Sequence, residues 1–229
     1  MIIYEELHKK YSFSPTQREI IKIVGENKAV LEIGPSTGYM TKAFLDNGCI
    51  VDVVEINEEA ISKIPKLTRR IIGMSIEDDK VDDLLGRYDF IIMADVLEHL
   101  VFPDRVLRRL IKFSSADSKL IISLPNVASW IMRKQLFFNG DFKYQESGLL
   151  DKTHLHFYTV KTLPKILEDA GWKIEEMTGT ITRLPFEGLI FKIPLLGWVY
   201  RTYFYPMIVN AFKNFAYYHF LTIASKKLK

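Results

Sequence analysis

Apolar positions in this chain gather in short runs, and between the runs they recur at helical spacing. The first signal is Ser14-Pro15-Thr16-Gln17. Serine caps a helix, proline fits its first turn, and glutamine three residues on closes a capping box, so a helix is predicted from there to Gly25. Lys28–Ile33, ending at Gly34, reads as a buried strand. Thr37–Asp46 places Met40, Ala43 and Phe44 on one helical face and stops at Asn47-Gly48. Ile50–Ile56 is a second strand, Asn57–Ile64 a short helix and Arg69–Ile72 a third strand. Tyr88–Ala94 follows as a buried strand, then Pro103–Phe113 as an amphipathic helix with Val106, Leu107, Leu110 and Ile111 on one face. Lys119–Leu124 is a strand stopped by Pro125. Asn126–Thr159 breaks the rhythm with aromatics, glycines and two histidines. A helix over Thr159–Ala170, a strand over Trp172–Thr178 and a closing strand over Tyr217–Ser225 complete the pattern.

Strands alternating with helices argue for parallel pairing through crossover helices, hence an α/β sandwich. The 229 residues, 48% of them hydrophobic and 26% charged, suit one large domain over 1–229 and exclude disorder. A single cysteine, Cys49, excludes a disulfide framework and a cysteine-ligated zinc site. No signal peptide is evident at Met1-Ile2-Ile3-Tyr4, and a cytoplasmic location is expected.

The loop Leu31-Glu32-Ile33-Gly34-Pro35-Ser36-Thr37-Gly38 carries the chemistry. It joins a strand to a helix start, where glycines admit a ligand to the backbone and free N–H groups await it. Glu55, at the end of the second strand, can accept both hydroxyls of a ribose. A nicotinamide enzyme would place a glycine at Ser36 to make room for pyrophosphate. S-adenosylmethionine (SAM) has no pyrophosphate, and Glu32 could orient its ammonium group through backbone or water contacts. The loop therefore fits SAM better than NAD.

From about residue 15 to 178 the sequence resembles the class I SAM-dependent methyltransferases. Leu31–Gly38 is similar to the family's first motif, Val53–Asn57 to its second, and Asp89–Leu100, ending Ala-Asp-Val-Leu-Glu-His-Leu, to its fourth strand and turn. The resemblance implies a Rossmann-like three-layer sandwich with a mostly parallel seven-stranded sheet and an antiparallel last strand. It places Glu32, Gly34 and Gly38 around the methionine portion and Glu55 at the ribose, with Pro35, Ser36 and Ile56 as further cofactor-binding residues. Near adenine, Ser75 stands where the family usually has an acid, so its hydroxyl and the Ile76 backbone would take that role. Asp95 would face the cofactor or the acceptor.

Leu150-Asp151-Lys152-Thr153-His154-Leu155-His156-Phe157-Tyr158-Thr159 resembles a signature of methyltransferases of surface-polysaccharide and other small-molecule pathways. Asp151 and His154 are three apart, so the carboxylate could fix the imidazole tautomer and leave His154 as a general base toward an acceptor hydroxyl. His99 lies at the expected mouth of the site as a further catalytic candidate. A metal centre from His99, His154 and Asp151 is not expected, since they are far apart in sequence. The predicted chemistry is methyl transfer to a small-molecule hydroxyl. A silent SAM-binding regulatory subunit and an NAD-dependent oxidoreductase are the alternatives.

Charge is uneven. Residues 180–229 hold seven Lys/Arg against one acid, and 12 of the 29 aromatics. The longest uncharged run there is 12 residues, too short for a membrane-spanning helix. Residues 180–216 form an insertion before the last strand, in which Pro194 and Pro206 should break any long helix. Packing over the sheet edge or a dimer contact, a lid, and membrane docking through 185–215 are all compatible with it. Its basic residues are scattered, so no nucleic-acid partner is expected, and a monomer or homodimer fits equally well.

Overall fold

The computed structural model describes residues 13–227 except 182, 183, 185 and 186. The start at Met1 therefore lies outside the described residues. In chain order the elements are α1 (Pro15–Val24), β1 (Ala29–Ile33), α2 (Tyr39–Asp46), β2 (Ile50–Val54), α3 (Glu58–Ile61), β3 (Arg70–Ile72), β4 (Tyr88–Ala94), α4 (Pro103–Leu110), β5 (Ser114–Pro125), α5 (Trp130–Asn139), α6 (Thr162–Asp169) and β6 (Trp172–Ile181). Then come α7 (Glu187–Ile190), α8 (Pro194–Val199), α9 (Tyr205–Ala211), α10 (Lys213–Ala216) and β7 (Tyr217–Lys226). The capping box forms as the residues dictate, with the Ser14 hydroxyl accepting from Gln17 N–H and the Gln17 side chain accepting from Ser14 N–H.

One seven-stranded sheet runs β3-β2-β1-β4-β5-β7-β6. Its first five strands pair in parallel, and β7 is antiparallel to both neighbours. Side-chain alternation sends Leu31, Ile91, Met93, Leu120 and Ile122 to one face, where Val106, Leu107 and Leu110 of α4 and Leu163 and Leu167 of α6 cover them. Val30, Val51, Val53, Ile92 and Ile121 point to the other face, against Ile20 and Val24 of α1 and Met40 and Phe44 of α2. Both faces are dry, which is why the strands read as near-continuous apolar runs. Two polar groups inside the sandwich are paired: Asp52 takes a bidentate bond from Arg69 at 2.7 and 2.6 Å plus the Tyr88 hydroxyl at 2.7 Å, and the Trp172 indole donates to the Leu107 carbonyl at 2.9 Å.

Boundaries depart from expectation where local chemistry overrides periodicity. β5 begins five residues before Lys119, because Ser118 donates to the Tyr88 carbonyl at 2.6 Å and accepts from Ser115 N–H, holding a polar stretch in the sheet. The broken stretch after β5 contains α5, whose apolar residues are mostly exposed. Pro206 does not end its helix. The chain passes from α8 to α9 through a π-helical turn, Tyr200–Phe204, where Tyr205 N–H bonds to Tyr200 O one residue further back than in an α-helix. That widening accommodates a residue with no N–H.

Candidate functional site

A cleft of about 1030 Å³ opens at the carboxyl edge of β1, β2 and β4, where open α/β sheets bind ligands. Its volume reaches the upper end of single-ligand pockets, so it has room for two small molecules side by side.

One end is made of backbone. Gly34 has φ +67°, and a Cβ there would stand 2.7 Å from Val96 Cγ2. Ser36, at φ +51°, directs its N–H to Glu55 Oε2 at 3.1 Å. The N–H groups of Ile56 and Asn57 both donate to Glu55 Oε1 at 2.9 Å. Three backbone donors thus fix the carboxylate at the cleft edge, while Ser36 Oγ is buried with no partner. Ile56, Met74, Ile76 and Leu100 supply apolar wall, and Ser75 Oγ accepts from Glu77 N–H at 3.1 Å. The side wall comes from the start of α1, where Gln17 Nε2 donates to the Tyr39 hydroxyl at 2.9 Å.

Glu32, Pro35 and Gly38 are not on this wall. Gly38 serves packing: at φ +74°, its missing Cβ leaves room for Pro65 Cδ at 2.7 Å. Glu32 lies beneath the loop, 1% exposed, with Oε2 taking the Thr41 hydroxyl at 2.6 Å and Oε1 unpartnered. Burial pushes its carboxyl up to about 7, opposed by the Thr41 bond and reinforced by the Glu55 charge.

The other end is made of side chains. Asp95, just past β4, is a non-glycine residue at φ +56°, a conformation that costs energy and recurs at functional sites. Its Oδ1 lies 2.5 Å from His219 Nε2, and His219 Nδ1 lies 3.5 Å from Thr16 Oγ1. His219 escaped the sequence reading. The signal was there: β7 is antiparallel, so its first residues lie on the same edge as the ends of the parallel strands, and His219 sits opposite Pro125 at the end of β5.

His99 lines the cleft too. Its Nδ1 faces the Thr153 carbonyl at 3.2 Å and Thr153 Oγ1 at 3.1 Å. A carbonyl can only accept, so the network assigns the hydrogen to Nδ1 and leaves a lone pair on Nε2. Asp151 Oδ1 accepts from Thr153 N–H at 2.8 Å and from its hydroxyl at 2.6 Å. Asp151 therefore braces His99 through Thr153. Its link to His154 runs through the backbone, where the Asp151 carbonyl accepts His154 N–H at 3.0 Å, and through its charge.

His154 stands behind His99, with ring centroids 4.8 Å apart, its side chain 4% exposed and its Nδ1 buried without a hydrogen-bond partner. Burial and then the neighbouring His99 hold its pKa below the usual imidazole value, against the opposing pull of Asp151, the Leu149 backbone and Asp95. Glu98, also missed, is 1% exposed beside it, and its pKa is raised chiefly by burial and then by Asp95.

A family model for the methyltransferase domain matches residues 8–177. No curated protein matches the chain. Among solved structures, a SAM-dependent methyltransferase of Archaeoglobus fulgidus is 19% identical, with 97% of this chain and 99% of that one covered and a TM-score of 0.62. One of Thermotoga maritima is 15% identical, covering 98% and 94%, with a TM-score of 0.61. The magnesium protoporphyrin IX methyltransferase of Synechocystis, solved with SAM bound, is 15% identical over 93% and 78%, with a TM-score of 0.56. These likenesses concern the fold.

Proposed function

The chain belongs to the methyltransferase domain family, and on that premise we propose that it methylates a hydroxyl of a small molecule, using SAM held in the same cleft. The observation that carries this reading is the cleft's division into an end of backbone donors and apolar wall around Gly34, Ser36 and Glu55, and an end with the Asp95–His219 pair. The residues fit SAM. Gly34 and Ser36 line the cleft, the Glu55 carboxylate lies where the ribose would be held, and Ile56, Ser75 and Ile76 continue that wall toward where the adenine would lie. Bound there, SAM supplies a methyl group on a sulfonium that leaves readily. The chain's own work is then alignment and exclusion of water. Asp95 and His219, with Oδ1 and Nε2 2.5 Å apart, would take up the proton released by an acceptor hydroxyl held beside them. His99 fixes the acceptor from the opposite side, braced by Thr153 and Asp151, and His154 positions His99 from behind. The Leu150–Thr159 segment, similar to a signature of methyltransferases of surface-polysaccharide and other small-molecule pathways, supports a small-molecule acceptor without naming it.

Calorimetric titration with S-adenosylhomocysteine and with NADH tests the cofactor: the first should bind and the second should not. Turnover of SAM with hydroxylated acceptors must follow. Binding without turnover on any acceptor would favour the silent regulatory subunit.

Exposed apolar side chains of the insertion support a second element of the proposal, contact with a lipid surface. Leu195, Trp198, Tyr203, Phe204 and Met207 are each half exposed or more, and Arg201 lies over the Phe191 ring at 5.1 Å. No described helix is long and apolar enough to cross a membrane, so the contact would be peripheral.

A further inference from the structure

We propose that Glu98, His99 and His154 form a site for one divalent transition-metal ion, zinc by preference, at the acceptor end of the cleft. The site's existence is independent of the function proposed above, and its role in methyl transfer rests on that function.

The argument begins with an unsatisfied group. Glu98 is 1% exposed, and its carboxylate oxygens have no hydrogen-bond partner beyond its own backbone N–H. Buried carboxylates normally take several donors or a cation, because an isolated one costs several kcal/mol. Among the described residues, the basic atom nearest to it is His154 Nε2, 3.9 Å from Glu98 Oε1, too far for a hydrogen bond. Asp95 and Asp151 add further negative field at this point. A cation is the missing partner.

The surrounding groups suit a metal. One donor atom each from Glu98, His99 and His154 lies within 4.8 Å of the others. Ligands of a tetrahedral zinc lie roughly 3.4 Å apart, given bonds of about 2.0–2.2 Å, so side-chain rotations would close the site. Two imidazole nitrogens and one carboxylate oxygen are the borderline donor set that zinc prefers. The outer layer is in place as well. His99 donates Nδ1–H to Thr153, which Asp151 holds in turn, so Nε2 is the free ligand atom. Of the three side chains only His99 lines the cleft, so the fourth coordination position opens toward the acceptor. An acceptor hydroxyl bound there would lose its proton more easily to the Asp95–His219 pair, since metal coordination lowers the pKa of bound oxygen.

The test uses the full chain, stripped by chelator dialysis and titrated with zinc by calorimetry and by competition with a chromogenic chelator. One zinc per chain is expected, with affinity falling about 100-fold or more in Glu98→Gln and in His154→Ala. Cobalt in place of zinc should give the intense visible bands of four-coordinate geometry in the wild type alone. Thermal midpoints and S-adenosylhomocysteine titrations on the same samples separate loss of the site from loss of the fold, or from failure of the cofactor reading. No metal uptake by the wild type, or uptake that survives both substitutions, overturns the site. A Glu98→Gln protein that matches wild type in zinc affinity shows Glu98 to be a protonated structural acid.

Discussion

The two ends of the cleft are built on different plans. The Gly34–Glu55 end draws on consecutive β-strand–loop units, and its key contacts are backbone N–H groups meeting one carboxylate. The acceptor end collects Asp95 and His99 after β4, Asp151 and Thr153 from the long loop after β5, and His219 from β7. Backbone groups present the same face to a ligand whatever side chains surround them, so the first end suits an invariant cofactor. Side chains from distant segments can be exchanged singly, so the second end suits a variable acceptor.

If the ends are separable, the largest effect should be confined to one of them. His219→Ala removes half of the pair proposed to accept the proton, and turnover should fall about 10²–10⁴-fold. S-adenosylhomocysteine affinity should stay close to that of the wild type. Equal losses in both would show that His219 supports the cofactor end and would break the comparison.

Glu32 sets a pH dependence on the cofactor end. Its folded-state pKa of about 7 lies above the ordinary value of 4.5, so the folded chain binds more protons than the unfolded one between those values. The sign follows: this stabilising contribution is complete below pH 4.5 and is lost as pH rises through 7. The loss amounts to about 3 kcal/mol. Denaturant unfolding of the ligand-free protein across that range should show it, and Glu32→Gln should flatten the slope. A slope unchanged in Glu32→Gln would refute the assignment.

The same contrast governs what was legible in the sequence. Gly34, Ser36 and Glu55 could be placed because a strand, a tight loop and the end of the next strand are consecutive, and their chemistry is local. Gly38 carried the same signal for a different reason, room for Pro65, because a glycine spacing does not say whether a ligand or a side chain fills the gap. Asp151 was matched to His154 by spacing, while the fold gave its Oδ1 to Thr153, since an acid two residues before a threonine closes a local turn. His219 and Glu98 required the topology. For His219 the expected antiparallel last strand already implied a start at the ligand edge, and what was missing was the register that sets it opposite Pro125; nothing near Glu98 signals that its side chain turns inward toward His154.

A smaller effect tests how Glu55 is held. Glu55→Ala removes the acceptor for three backbone donors and the expected contact with the ribose. S-adenosylhomocysteine affinity should drop roughly 10- to 100-fold, matching one or two charge-assisted hydrogen bonds. An affinity within twofold of wild type would move the ribose elsewhere.

The smallest effect on folding is expected where the chain is most apolar in appearance. Leu195 is 74% exposed and Trp198 59% exposed, so neither side chain contributes much to a core. Replacing both with serine should change unfolding free energy by no more than about 0.5 kcal/mol. The same double variant should lose flotation with vesicles of anionic phospholipid, because interfacial binding scales with the apolar area inserted and with attraction of basic residues such as Lys192 and Arg201 to the headgroups. A lowered thermal midpoint with unchanged flotation would mean that these side chains pack within the chain and that the insertion belongs to the fold. A wild type that stays with neutral and anionic vesicles alike would reduce the charge asymmetry to solubility, leaving apolar area alone to draw the insertion to lipid.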